Sequence, residues 1–321
     1  MKLSVVIPAY NRERTVGRTV ESVLACGVPA EVVVVDDGSK DGTADAARAF
    51  GPAVNVVRQA NGGPAVARNT GAAVAAGDVL AFLDSDDEWL PGVAADAVAA
   101  LERHPEVDVL FCETLCGNPA DGYRPLSETT GRGRFGELLT HPLEPDLFAL
   151  DRTALVRAMT DRNQMFLGST FVRRAALAAS GLFDPGLFGG EDYELCLRLA
   201  ARHRVAFLAR PLARYEKHPG GLSADPDRMA REFALAMRRF ARLPELTRDE
   251  RRRAAAAHRR LSFEYAYRAY DRGDLPEARA RFAGALRHAG ASPKAAAYWL
   301  LSRMPRPVVR AARALKQGAG A

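Results

Sequence analysis

The chain has 321 residues, enough for one large α/β domain with an appendage or for two modest domains. Its hydrophobic share of 48% and charged share of 26% are ordinary for a globular protein. The sequence contains no run of about 20 apolar residues, which is the length that spans a bilayer. The chain opens with a short strand-like run rather than a secretory signal, so the sequence predicts a cytoplasmic protein.

The net charge of +6 is unevenly distributed along the chain. Residues 226–321 contain 22 Lys and Arg against 9 Asp and Glu, whereas residues 1–225 contain 23 against 30. This asymmetry predicts two regions with different roles. We expect one domain over residues 1–225 and a basic, Arg- and Ala-rich helical region over residues 226–321.

The first half of the chain alternates short β-branched runs with helical patterns. Strands are predicted at Leu3–Ile7, Glu31–Val35, Val54–Arg58, Val79–Leu83 and Val107–Cys112. Nearly continuous apolar strands separated by helices predict an α/β fold whose mainly parallel sheet has helices on both faces. In such sheets, ligands bind beyond the carboxyl ends of the strands. The residues that follow the strands are therefore the place to look for a site.

Carboxylates follow two of these strands. Asp84-Ser85-Asp86 comes directly after the fourth strand, and two carboxylates at this spacing can converge on a hard cation such as Mg²⁺ or Mn²⁺. The same turn could instead cap the next helix. Asp36-Asp37 follows the second strand and either forms a tight turn or accepts hydrogen bonds from a nucleoside. Each pattern alone fits a structural role as well as a functional one.

Four more residues, all later in the chain, also have both a structural and a functional interpretation. Arg68 lies in the second turn of a predicted helix, where it either packs or faces a diphosphate. Glu191 and Asp192 open another predicted helix, whose dipole favours acidic side chains, but a carboxylate there could equally act as a general base. His218 lies in a Gly- and Pro-rich loop and is either a surface residue or a third ligand for Mn²⁺.

Beyond Pro226 the chain is helical, and Tyr267–Leu286 has the pattern of a single helical hairpin. The segment Pro305–Lys316 predicts a basic amphipathic helix with Val308 on its apolar face. Such a helix could lie on an anionic membrane surface or pack on the acidic region with its arginines in water. Nucleic acid is not a predicted partner. The basic residues are not interleaved with aromatic residues that could stack on bases, and they belong to no recognised nucleic-acid-binding motif.

Taken in order, seven short strings resemble the family 2 glycosyltransferases, which have the GT-A fold. The strings are Val5–Asn11, Val35–Ser39, Gly63–Asn69, Phe82–Asp87, Gly181–Asp184, Gly190–Leu195 and Tyr215–Pro219. The resemblance covers about residues 2–223. It implies a Rossmann-like GT-A domain followed by a helical appendage.

The resemblance implies a role for each candidate residue. The residues that would bind the nucleotide-sugar donor are Pro8, Ala9, Tyr10, Asp36, Asp37, Arg68, Asp84 and Ser85. Asp86, Asp84 and His218 would surround a Mn²⁺ or Mg²⁺ ion. Asp192 would be the general base on the acceptor hydroxyl, and Glu191 would support acceptor binding. A single displacement would then invert the anomeric centre, with UDP as the leading nucleotide and dTDP or GDP still open.

The acceptor that the resemblance implies is a glycan or a lipid-linked glycan, used in polysaccharide or glycoconjugate biosynthesis at the inner face of the membrane. A sugar nucleotidyltransferase is one alternative, although it usually has a Gly-rich, Lys-containing loop that is missing near the start. A non-catalytic scaffold that binds a nucleotide-sugar is another. The presence of Asp84, Asp86, Glu191 and Asp192 together argues against a scaffold.

Overall fold

The computed structural model describes residues 1–129, 135–218, 220–290, 292–305, 307–310 and 313. It divides into two compact units, Met1–Ala224 and Asp225–Ala321. That the first is a catalytic domain and the second a helical region of different function stays a prediction. Within the described residues, no helix combines the length and the apolar character needed to cross a membrane.

The first unit contains one eleven-stranded sheet and eight helices among its described residues. The strands are β1 (Leu3–Ala9), β2 (Ala30–Asp36), β3 (Val54–Arg58), β4 (Val79–Phe82), β5 (Glu88–Trp89), β6 (Val109–Asn118), β7 (Gly122–Pro125), β8 (His141–Glu144), β9 (Leu147–Ala149), β10 (Thr170–Arg173) and β11 (Val205–Glu216). The helices are α1 (Val16–Leu24), α2 (Thr43–Arg48), α3 (Pro64–Val74), α4 (Val93–Arg103), α5 (Leu126–Thr129), α6 (Arg152–Asp161), α7 (Arg174–Ser180) and α8 (Glu191–Arg202).

The sheet is mixed, with strand order β3-β2-β1-β4-β10-β6-β11-β9-β8. Strands β3, β2, β1 and β4 are parallel, and β6 is parallel to β11. Strand β10 is antiparallel to both of its neighbours, β4 and β6. The predicted α/β fold is thus confirmed, with antiparallel strands added in the second half of the sheet. The carboxyl ends of β1, β2 and β4 meet at one edge.

The inner strands of the parallel half of the sheet are buried along their whole length. All seven residues of β1 and all four of β4 are buried. Helix α1 covers the sheet with Val16, Val20 and Val23, whereas Leu24 is 42% exposed. Leu24 lies about 100° beyond Val23 around the helix and therefore points away from the sheet.

Strand β6 is longer than the predicted strand Val107–Cys112. It continues to Asn118 because β11 pairs with it along its whole length. The predicted strand ends before Glu113 and Thr114 because both are polar. In the structure both residues are buried. Glu113 Oε1 accepts the backbone N–H of Thr114 at 2.8 Å, and this hydrogen bond offsets part of the cost of burying the carboxylate.

The second unit contains four helices among its described residues: α9 (Pro226–Phe240), α10 (Arg248–Arg272), α11 (Leu275–Ala289) and α12 (Pro293–Leu301). Helix α10 begins at a capping box formed by Thr247 and Glu250 and ends at Gly273, which has a left-handed φ of 84°. Asp274 then caps α11, so the predicted helical hairpin is present.

The predicted tail helix over Pro305–Lys316 lies largely outside the described residues. In its described part, Val309 is buried and packs with α10 and α11, whereas Val308 is 47% exposed. Val309 is thus the residue of this segment that packs within the unit, and the predicted apolar face with Val308 stays a prediction.

Candidate functional site

The loops after β1 and β2 are held together at the carboxyl edge of the sheet. The backbone N–H of Asp37 donates to the Ala9 carbonyl at 2.8 Å. Asn11 has a left-handed φ of 52°, its N–H donates to Ser39 Oγ, and its Oδ1 accepts the N–H of Lys40. These bonds leave Tyr10 41% exposed at the tip of the first loop.

The two adjacent carboxylates after β2 are buried and hold neighbouring loops. Asp36 Oδ1 accepts the Ser39 N–H at 3.0 Å, which closes the turn at the end of β2, and its Oδ2 lies 3.1 Å from Arg58 Nε. Asp37 accepts the backbone N–H groups of Gly62 and Gly63, both at 2.8 Å. The start of α3 is therefore fixed against the end of β2.

Arg68 joins three elements through a buried ion-pair network. Its Nη2 donates to Asp84 Oδ1 after β4, and its Nη1 donates to Glu191 Oε1 at the start of α8, both at 2.6 Å. Its guanidinium also lies over the Phe183 ring, 5.4 Å from the centroid. Burial by itself would lower the pKa of Arg68, but the carboxylates of Asp84 and Glu191 outweigh burial and raise it.

Glu191 and Asp192 are adjacent but differ in their surroundings. Glu191 is 2% exposed, and its second oxygen, Oε2, accepts the N–H of Gly189 at 2.6 Å. Asp192 is half-buried and accepts the N–H of Tyr193 at 2.7 Å. Burial and then the charge of Glu191 raise the pKa of Asp192 to about 7, although Arg68 opposes them. Asp192 is therefore the carboxylate that can exchange a proton near neutral pH.

A cavity of about 420 Å³ opens beside the turn that follows β4. Asp86 and His218 line it, together with residues of the loop after β1. Asp86 Oδ2 lies 3.0 Å from His218 Nε2 and 3.2 Å from Arg12 Nε. Asp84, two residues earlier, has a side chain that is 45% exposed.

The model of glycosyl transferase family 2 matches residues 4–166, about half of the 321 residues. The chain belongs to this family. Succinoglycan biosynthesis protein ExoU of Rhizobium meliloti (strain 1021) is 33% identical over 202 residues, 61% of this chain and 56% of ExoU. An uncharacterized glycosyltransferase of Haemophilus influenzae is 26% identical over 199 residues, 61% of each chain. The chain thus spans little more than half the length of these curated relatives.

Solved structures of glycosyltransferases share the fold. S. aureus TarS 1-349 in complex with UDP-GlcNAc has a TM-score of 0.68 at 19% identity, over 99% of this chain and 92% of that one. The mannosyltransferase PcManGT from Pyrobaculum calidifontis, in complex with GDP-Man and Mn²⁺, has a TM-score of 0.59 at 22% identity, over 98% of this chain and 86% of that one. The predicted GT-A fold is confirmed by these likenesses.

The structure brings most of the predicted site residues of this family 2 chain to one edge of the sheet. Pro8 and Ala9 are buried at the end of β1, and Ser85 is buried in the turn that also carries Asp84. Arg68 links Asp84 to Glu191, and Asp192 follows Glu191 in the chain. Asp86 and His218 contact each other. Tyr10 lies at the tip of the first loop, and its role stays a prediction.

The donor set suits a divalent ion that takes few ligands from the protein. No group of three or more His, Cys, Asp or Glu residues at metal-binding geometry occurs in the described part of the chain. Mg²⁺, however, is often held by one or two carboxylates together with substrate phosphates. Asp86 and the half-exposed Asp84 fit that pattern, and His218 is within reach of Asp86. The Arg12 contact with Asp86 Oδ2 must loosen if an ion binds there.

Three residues of the site were missed by sequence reasoning. Arg12 contacts Asp86 and carries no recognisable signal beyond its position two residues after Tyr10. Asn69 donates to the Phe183 carbonyl and accepts the Phe183 N–H, and these two bonds fix the loop that places Phe183 against Arg68. The only sequence signal for these three residues is that they lie in or beside the strings that resemble the family. Their roles could not be predicted, because their contact partners are distant in sequence.

Proposed function

We propose that this chain transfers a glycosyl group from a nucleotide-sugar to an acceptor hydroxyl with inversion at the anomeric carbon. The observation that carries the proposal is the Arg68 network, which joins the carboxylate turn after β4 to the start of α8. This network would hold the proposed donor site and the proposed base on one rigid frame. Rigid placement of reacting groups is a large source of catalytic rate.

The donor nucleotide would bind at the carboxyl ends of β1, β2 and β4. Two solved structures of the same fold hold UDP-GlcNAc and GDP-Man, which supports a nucleotide-sugar as the donor. The exposed ring of Tyr10 would stack on the base, beside Ala9. Asp36 and Asp37 would shape this pocket through the loops that they hold, with UDP as the leading nucleotide.

A divalent ion, Mn²⁺ or Mg²⁺, would be held by Asp86, with Asp84 and His218 beside it. The Mn²⁺ named with PcManGT supports this assignment. When bound, such an ion neutralises charge on a departing diphosphate. Arg12 would exchange its contact with Asp86 for one with a phosphate oxygen, since a guanidinium pairs well with both groups.

Asp192 would act as the general base. Its pKa of about 7 suits a base that works near neutral pH. It would take the proton of the acceptor hydroxyl while that oxygen attacks the anomeric carbon from the face opposite the diphosphate. Glu191 would act as a positioning residue, because both of its oxygens already accept hydrogen bonds.

The acceptor would be a glycan or a lipid-linked glycan. The name of ExoU, succinoglycan biosynthesis protein, supports a role in polysaccharide synthesis.

The excess of Lys and Arg in residues 226–321 supports peripheral contact of that region with an anionic membrane at the cytoplasmic face. Co-sedimentation with anionic but not with neutral vesicles would support the contact, and equal sedimentation with both would refute it.

Product analysis with a panel of nucleotide-sugars tests the proposed reaction. We expect release of a nucleoside diphosphate, together with a glycoside of inverted configuration when an acceptor is supplied. A sugar nucleotidyltransferase would instead release pyrophosphate from a nucleoside triphosphate and a sugar 1-phosphate, so this pair of substrates is assayed in parallel, and pyrophosphate release from it would indicate that enzyme. Binding of a nucleotide-sugar without any turnover, in the presence of glycan acceptors, would indicate a scaffold protein.

A further inference from the structure

The second unit contains a groove that the proposed reaction does not use. Its volume is about 340 Å³, and residues of α9, α10 and α11 line it. Its lining is mostly apolar and includes Ala234, Leu235, Gly284 and Ala285. A Cβ atom added at Gly284 would meet nothing within 4 Å, so this glycine leaves space that a ligand can fill. The volume lies in the range of small-molecule sites.

The charge of the groove is positive. Three arginines line it, and no acidic side chain lines it within the described residues. Arg231 is paired with Glu232 and Arg281 with Asp227, each at 2.7 Å. Arg238 has no ion pair within the part of the chain that the structure describes. Its charge therefore stays available to an anion.

A buried histidine lies at the wall of the same groove. His258 is 8% exposed, and its Nδ1 donates to the Ala234 carbonyl at 2.8 Å. This hydrogen bond joins α10 to α9, and both helices line the groove.

We propose that this groove binds one anionic phospholipid. An acyl chain would lie along the apolar lining at Gly284, and the phosphate would pair with Arg238. The proposal uses residues of the second unit alone and does not depend on the proposed glycosyl transfer.

Isothermal titration of the full chain with single-chain lipids below their micelle concentration tests this site. Lauroyl-lysophosphatidylglycerol is the probe, because it combines one chain with one net negative charge. We expect saturable binding at one site. Glycerol 3-phosphate, which lacks the chain, should bind at least about tenfold more weakly, and lauroyl-lysophosphatidylcholine, which lacks the net charge, about threefold to fivefold more weakly.

Two pairs of variants locate the binding. Gly284→Leu fills the groove and should weaken binding at least about tenfold, whereas Gly284→Ala should bind like the wild type. Arg238→Gln keeps the shape of the groove and should weaken binding about threefold to fivefold, whereas Arg268→Gln, at an exposed position outside the groove, should not. Equal binding of both lysolipids, or full binding by Gly284→Leu or Arg238→Gln, would overturn the proposal.

Discussion

Glu191 and Asp192 are adjacent carboxylates in different surroundings. Glu191 is held by Arg68 and by the Gly189 N–H, so its charge is compensated inside the protein. Asp192 accepts the N–H of the residue after it, and its pKa is raised to about 7. A carboxyl group whose surroundings raise its pKa towards neutrality is typical of acid–base sites. These surroundings support the proposal that Asp192 transfers the proton and that Glu191 is a positioning residue.

Replacement of Asp192 by Asn tests that assignment. Asn has the same shape but cannot accept the proton, so kcat should fall at least about a hundredfold while the donor dissociation constant stays close to that of the wild type. Steady-state kinetics and donor titration measure the two quantities. Asp45→Asn is the control, because the Asp45 side chain is 87% exposed. Turnover near the wild-type rate in Asp192→Asn would refute the role.

The pH dependence of kcat/KM provides a second test. A base works in its ionised form, so the rate should fall as the pH decreases through about 7, the pKa of Asp192. The charge of Glu191 raises that pKa, so Glu191→Gln should move the acidic limb of the profile to lower pH. A limb that stays in place in Glu191→Gln would show that a different group controls it.

Position alone made several site residues predictable. Asp84, Asp86 and Asp192 stand directly after a strand or at the first turn of a helix, where the fold gathers ligands. The hydrogen bonds of Asp37 with Gly62 and Gly63 were not predictable, because they depend on the conformation of a loop about 25 residues away. The contact of Arg12 with Asp86 was unpredictable for the same reason.

At the scale of the elements, Arg68 connects α3, the turn after β4 and the start of α8. Arg68→Met keeps the length of the side chain but leaves Glu191 buried without its cationic partner. Removal of one partner of a buried ion pair typically costs about 3–5 kcal/mol, so the free energy of unfolding should fall by that order. Urea denaturation measures the change.

The double variant Arg68→Met, Glu191→Gln separates the cost of the unpaired charge from the loss of packing. Because the glutamine introduced by Glu191→Gln carries no charge, the double variant should be more stable than Arg68→Met alone. A double variant that is less stable than Arg68→Met would show that the ion pair is not the source of the effect.

Helix α3 packs against β1 at Gly71, where a Cβ atom would lie 2.3 Å from Val6 Cγ1. Gly71→Ala should therefore lower the free energy of unfolding by about 1–3 kcal/mol, although alanine is the better helix former. Gly17→Ala in α1 is the matched control, because its Cβ would meet nothing within 4 Å, and it should be neutral or stabilising by up to about 1 kcal/mol. Thermal or urea unfolding compares the two, and equal effects would contradict the close packing.

The parallel elements were predictable because their strands are continuous apolar runs. Strands β7, β8 and β9 were not, since they have three or four residues and β7 and β8 contain Pro and charged side chains. Strand β7 is held by pairing with β6, β9 by pairing with β11, and β8 by pairing with β9, rather than by their own composition. Tertiary pairing overrides local propensity in such strands.

At the scale of the whole molecule, the chain is a family 2 glycosyltransferase by sequence and a GT-A protein by fold. The charge difference between residues 1–225 and 226–321 indicated two regions, and the structure has compact units with a boundary at Asp225. The sequence does not identify the sugar or the acceptor, because no recognisable motif encodes the residues that would contact them.

Metal-dependent binding of a nucleotide-sugar is tested most directly by a thermal-shift comparison of UDP-, dTDP- and GDP-sugars, each with and without Mn²⁺. A ligand at about a hundred times its dissociation constant stabilises the native state by about 2.7 kcal/mol, which is readily seen as a higher melting temperature. We predict such a rise for one nucleotide, dependent on Mn²⁺ and reduced in Asp86→Asn. No rise with any donor, in a sample that melts cooperatively, would contradict the account.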